Sequence, residues 1–234
     1  MDRVADSGAV SASQRFATRI AALIGIAVEG VPITLGVAVA GVLMLAAGFV
    51  WLGALVILAA AAIGAFFRDP ERAAPDTEGA VISAADGKVC NIDQGPLPGD
   101  PSGEIFGRVS VFMSPLDVHV NRAPISGRVA SVVHTAGEFR AAFRDLASEH
   151  NERNLIIFQD TNGQRHAIIQ IAGYLARRIV CHIAPEERIT RGERLGLIMF
   201  GSRVDHFMPR GYRPVVAMGD RVRAGESIIG ELER

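Results

Sequence analysis

Val31 to Phe67 runs 37 residues without a charged side chain, and no other stretch restricts the fold so tightly. At about 1.5 Å per residue it makes roughly 55 Å of helix, well beyond the ~30 Å hydrocarbon core of a bilayer. One straight span is too short an account of it. Two short spans of about 17 residues each, turning near Gly48, fit better. Arg15 and Arg19 precede the run, and Arg68 and Arg72 follow it. By the positive-inside rule both ends lie in the cytoplasm. From Gln14 to Val28, Phe16, Ile20, Leu23 and Ala27 recur at helical spacing and predict an interfacial helix leading into the run. Residues 1–13 are small and polar and read as a disordered N-terminus. Residues 14–67 are therefore read as a membrane-anchoring helical segment, a hairpin in outline. A cleaved signal peptide does not fit so long and late a run.

After a linker over residues 68–79 the character changes. Short β-rich runs alternate with Gly, Pro and Asp: Ala80–Ser83, Lys88–Ile92, Arg108–Met113, Arg128–His134, Leu155–Gln159, His166–Ala172 and Arg178–Ile183. Leu195–Phe200, Pro214–Ala217 and Ser227–Leu232 continue the series. Ten short strands at this spacing predict a mainly β domain over residues 80–234, a barrel or barrel-sandwich. Glu138–Ser148 is the one helix candidate, with Phe139, Phe143 and Leu146 on one face. Val216–Ile228 resembles the paired-turn hairpin of biotinyl and lipoyl carrier domains. No lysine is available there to carry a cofactor, so the likeness speaks for the shape and against that role.

Composition narrows the chemistry. A net charge of −1 gives no reason to expect a nucleic-acid partner. Cys90 and Cys181 are too few for a disulfide framework or a four-cysteine zinc site. Lys88 is the only lysine, so lysine-based amine or pyridoxal chemistry would have to use it.

Three clusters remain. In Ser83-Ala-Ala-Asp-Gly-Lys-Val89, Asp86 sits at a glycine turn, which is also the pattern of a plain hairpin turn. In Phe112-Met-Ser-Pro-Leu-Asp-Val-His-Val-Asn-Arg-Ala-Pro124, strand alternation places Asp117, His119 and Asn121 on one face and Arg122 on the other. In Leu195–Val204 the Ser202 hydroxyl lies one residue past the Gly201 carbonyl. On a strained turn it can attack that carbonyl and form an ester, and β-elimination then cuts the chain and leaves a pyruvoyl group on residue 202. Taken alone, Gly201-Ser202 is also an ordinary turn.

Ala85-Asp-Gly87, Phe112–Pro124, Asn151-Glu-Arg153 and Phe200-Gly-Ser202 stand in the order found in phosphatidylserine decarboxylases, as does Phe67-Arg-Asp-Pro-Glu-Arg72 before them. The chain beyond Gly64 resembles the short bacterial and archaeal branch of that family. The resemblance implies a self-cleaving membrane enzyme that converts phosphatidylserine to phosphatidylethanolamine. It implies cleavage between Gly201 and Ser202 into a large subunit, 1–201, and a small one, 202–234. The pyruvoyl group made from Ser202 is then the only cofactor, with no metal. Its ketone condenses with the serine amine of the lipid and takes up the electrons left by CO2.

By motif Asp86 and His119 join Ser202 as catalytic residues, with Asp86 orienting His119 and His119 as base. Longer family motifs carry a second histidine where this chain has Arg122, so His134, His182 and His206 stay open as alternatives. Arg68, Arg72, Arg177 and Arg178 are candidates for the lipid phosphate or the anionic leaflet. The implied location is the cell membrane with the catalytic domain on its cytoplasmic side, and a homo-oligomer is left open. Two alternatives are a sister lyase for an ether-linked serine lipid and a membrane-anchored binding module with an intact chain.

Overall fold

The structure, a computed structural model, describes residues 25–137, 151–173, 178–199 and 202–233. The chain divides into two compact units, Met1–Glu71 and Arg72–Arg234.

The first unit is a helical hairpin of α1 (Gly30–Ala46) and α2 (Val50–Phe66), 17 residues each. Gly48 turns the chain between them at φ +89°, a left-handed backbone that glycine adopts without steric cost. A Cβ on Gly41 would lie 2.8 Å from the Ile57 side chain, and one on Gly53 would lie 2.7 Å from Leu45. Both helices thus approach closely because these positions carry no side chain. At its base the hairpin is closed by Ala27 N–H donating to the Phe67 carbonyl at 2.7 Å and Asp69 N–H to Gly25 at 2.7 Å. Its flanks expose Val39, Leu43, Phe49, Leu55 and Leu58, with Trp51 90% exposed. Each helix is about 25 Å long. No helix among the described residues is long and apolar enough to cross a membrane, which cuts the expected spans back to two short apolar helices. Most of the interfacial helix expected over Gln14–Val28 lies outside the described residues.

The second unit is mainly β. Eight strands form a sheet curled into a half-barrel. In spatial order they are β13 (Arg221–Val222), β2 (Gly87–Pro96), β3 (Ile105–Met113), β11 (Ser202–Met208), β7 (Arg165–Ile171), β6 (Arg153–Gln159), β5 (Gly127–Thr135) and β9 (Arg188–Ile189). Two three-stranded sheets complete it. One runs β1 (Ala80–Ile82), β14 (Ile228–Leu232), β12 (Tyr212–Pro214), and the other β4 (Val120–Arg122), β10 (Arg194–Ile198), β8 (Ile179–Cys181). The pairings are antiparallel.

One face of the large sheet packs Val89, Val109, Val111, Met113, Val204 and Met208 into the main core. Its other face buries Phe106, Ile169, Ile171 and Phe207 under Leu97. Nine of the ten expected strands occur with ends shifted by a few residues, and the tenth, Pro214–Ala217, shares only Pro214 with β12. Four were not foreseen: β4, β9, β11 and β13. The helix expected over Glu138–Ser148 lies outside the described residues.

Candidate active site

The Asp-Gly loop, the Ser-Pro segment and the strand that Ser202 begins meet at one residue, Ala84. Ala84 lies in the turn between β1 and β2, and its N–H donates to His206 Nε2 of β11 at 2.8 Å. Its carbonyl accepts the Arg122 N–H at 2.9 Å and Asn121 Nδ2 at 3.3 Å, both from β4. The Asp-Gly loop is thereby tied both to the strand that Ser202 begins and to the segment that carries His119. Gly87 must be glycine, because a Cβ there would lie 2.0 Å from the Phe112 carbonyl oxygen of β3.

Asp86 is buried and accepts three charge-assisted or backbone bonds. Ala224 N–H donates to Oδ1 at 2.7 Å, Arg72 Nη2 to Oδ2 at 2.9 Å, and Arg72 Nη1 to Oδ1. Arg72 Nη1 also donates to the Ala224 carbonyl at 2.7 Å. The Arg72 side chain is only 7% exposed, so it is not a surface ligand for phosphate as expected. A buried carboxylate needs a cation beside it, and the bidentate fork of arginine supplies one. Of the other arginines in that expectation, Arg68 donates to the Ala65 carbonyl at 2.8 Å, Arg178 is exposed, and Arg177 lies outside the described residues.

In the Ser-Pro segment Asp117 is a turn residue and not a strand neighbour of His119. Its Oδ2 accepts the Ser114 N–H at 2.8 Å and the Ser114 hydroxyl at 2.7 Å. The strand begins only at Val120, so strand alternation does not reach back to Asp117. His119 is buried, and its Nδ1 lies 2.9 Å from the Asp117 carbonyl. A carbonyl only accepts, so Nδ1 carries the proton and Nε2 is the basic nitrogen of the ring. Arg122, at the second histidine position of longer motifs, is buried and donates to the Gly192 carbonyl at 3.0 Å.

Ser202 opens β11, fully buried and opposite Met113, with its hydroxyl 3.3 Å from the Met113 sulfur. Gly201, the other half of the reactive bond, lies outside the described residues. His206, one of the alternative bases, is a structural pin: Nδ1 donates to the Val109 carbonyl at 3.1 Å while Nε2 accepts from Ala84. Burial away from water holds it neutral and pushes its pKa down to about 4. His134 is exposed and pairs with Glu152 at 3.0 Å, and His182 is exposed.

Several residues of this region escaped the sequence reading. Arg203 and Asp205, both buried on β11, form a bidentate pair at 2.6 and 2.8 Å. Met113, Gln170 and Asn154, all buried, were not singled out either. The available signal was Gln170, a polar residue inside the apolar run Ala167-Ile-Ile-Gln-Ile171.

Comparison with known proteins gives this geometry its context. A family model described as phosphatidylserine decarboxylase matches residues 59–230. The phosphatidylserine decarboxylase proenzyme of Solidesulfovibrio magneticus is 45% identical over 166 residues, 71% of this chain and 77% of that protein. That of Beijerinckia indica is 44% identical over 207 residues, 87% and 88% of the two chains. That of Mycobacterium leprae is 45% identical over 184 residues, 78% and 76%. The family match spans Asp86, His119 and Ser202, and the chain belongs to the phosphatidylserine decarboxylase family.

Proposed function

We propose that this chain decarboxylates phosphatidylserine to phosphatidylethanolamine and CO2, after cutting itself between Gly201 and Ser202. The observation that carries this reading is the place of Ser202, the first residue of a buried central strand, whose hydroxyl meets Met113 of the Ser-Pro segment while Asn121 of that segment bonds Ala84 of the Asp-Gly loop.

Residue 202 suits conversion to a pyruvoyl group. Because it begins β11, a cut before it removes no residue from the strand. β11 stays paired to β3 and β7, β13 to β2, and β14 to β1, so residues 202–234 remain knitted into strands of 1–201. A small subunit woven in this way stays bound after cleavage. Such a ketone supplies the electron sink that loss of CO2 from an α-amino acid requires.

The chain's own residues have these assigned roles. His119 Nε2 takes the Ser202 hydroxyl proton, and Oγ attacks the Gly201 carbonyl, so the acyl group moves from N to O. Loss of the Ser202 α-proton then breaks the Cβ–Oγ bond and releases Gly201 as a carboxylate. Water replaces the freed nitrogen of residue 202, which leaves as ammonia. The Asp117 carbonyl keeps the His119 ring in the tautomer that leaves Nε2 basic. Asp86, paired to Arg72 and Ala224, fixes the loop that carries Ala84, and its carboxylate is assigned a second role in the self-cleavage.

The test uses the full-length enzyme with phosphatidylserine labelled at the carboxyl carbon, in detergent micelles. CO2 release is expected, and borohydride added during turnover is expected to join the lipid amine to the fragment 202–234. Folded protein that releases no CO2, or that carries the lipid on the large fragment, would refute the reading.

We further propose that the hairpin inserts into the cytoplasmic face of the cell membrane. Its support is the exposed apolar surface of both helices and the return of both ends to one side, closed by the Asp69–Gly25 bond. Trp51 is the only tryptophan and lies beside the turn. Its emission is expected to shift to the blue on addition of anionic vesicles and to be quenched by lipids brominated deep in the acyl chain. Unchanged emission with vesicles present would rule insertion out.

A further inference from the structure

A chain of buried amides ends at the reactive serine. Asn154 of β6 donates from Nδ2 to Gln170 Oε1 at 2.9 Å, and Gln170 of β7 donates from Nε2 to Asn121 Oδ1 at 2.8 Å. Asn121 of β4 donates from Nδ2 to the Ala84 carbonyl at 3.3 Å and to the Met113 sulfur at 3.8 Å. The same sulfur accepts the Ser202 hydroxyl at 3.3 Å. Asn154, Gln170, Asn121, Met113 and Ser202 are all at most 2% exposed.

The direction of this chain is forced. The Ala84 carbonyl is an acceptor only, so Asn121 must turn its NH2 toward it and its Oδ1 toward Gln170. That requires the Gln170 NH2 to face Asn121 and its Oε1 to face Asn154. Each amide therefore has one orientation, and Met113 receives a donor from either side. A thioether accepts weakly and does not take up a proton, so this contact aims the hydroxyl without deprotonating it.

We propose that Asn121, locked by Gln170 and Asn154, is a positioning residue. It holds the Met113 thioether against the Ser202 hydroxyl and so sets the direction of that hydroxyl before the chain is cut. The inference rests on Ser202 being the cleavage nucleophile. Attack on the Gly201 carbonyl requires one rotamer of a side chain that has three, and a fully buried hydroxyl has no water to select it.

The test is cleavage of freshly translated full-length chain, followed over time in the presence of nanodiscs, as wild type and as Asn121→Asp. An ionised aspartate accepts from Gln170 but has no proton for Met113 or Ala84. A protonated one restores the donor, and burial raises the pH at which it protonates. Relative to wild type, Asn121→Asp is expected to cleave about tenfold more slowly near pH 8, the effect of one lost hydrogen bond, and within about threefold near pH 5.5. Taking the ratio to wild type at each pH removes the contribution of His119, His206 and Asp86, which both chains carry. A ratio near one at pH 8, or the same deficit at both pH values, overturns the proposal. Should Asn121→Asp fail to fold by near-UV circular dichroism, Met113→Leu decides. It keeps the volume and loses the acceptor, so slowed cleavage is expected and wild-type cleavage overturns the proposal. Wild type that stays uncut would instead refute the role of Ser202 itself.

Discussion

A Ser202→Ala chain is expected to stay a single 24.9 kDa species under denaturing conditions and to release no CO2 from phosphatidylserine. Alanine has no oxygen to receive the Gly201 acyl group, so no ester forms and there is no Cβ–O bond to eliminate. Without the ketone nothing accepts the electron pair left by CO2. The loss is at least about 10⁶-fold, the lower end of enzymic rate accelerations. No other residue supplies a substitute, since the single lysine, Lys88, is exposed on β2 and an amine is not an electron sink. Folding is little affected, because the deleted hydroxyl bonds only weakly, to a sulfur. A melting temperature close to that of wild type separates lost chemistry from lost structure. Ser202→Cys keeps a nucleophile and is expected to cleave slowly. Cleavage of the alanine variant at the same bond would show that another residue starts the reaction.

How much of this was legible in the sequence follows from the range over which each signal acts. The hairpin was plain because an uncharged run and one glycine, Gly48, are local features. Nine strands were readable because β-branched runs end at Gly, Pro and Asp. β11 was not, although Ser202, Val204, His206 and Met208 alternate with Arg203, Asp205 and Phe207. Two charges in seven residues look like surface, and only their mutual pairing lets them be buried. Arg72 was misjudged for the same reason, since its partner Asp86 lies 14 residues on and nothing local announces it. The order of motifs identified the family. It did not reveal that Ala84 joins them, because a backbone amide leaves no mark in the sequence. Nor did it expose the amide chain, whose members lie on three separate strands.

The buried pair of Arg72 and Asp86 carries the second large effect. Arg72→Met is expected to destabilise the β unit by about 3–5 kcal/mol, since it leaves the Asp86 carboxylate buried without its cation. Against a typical total of about 5–15 kcal/mol, that is enough to unfold much of the population at modest urea. The measurement belongs in a Ser202→Ala background, where one uncut chain unfolds and refolds and no second subunit can be lost. Arg72→Met combined with Asp86→Leu is expected to regain most of the loss, because it removes both charges and fills the space with apolar groups. The double variant with Ser202 restored then separates the two roles given to Asp86. If Asp86 serves only to hold its loop, the restored fold cleaves itself at the wild-type rate. If its charge acts on the reaction, the chain folds and stays whole, and that is the outcome expected here.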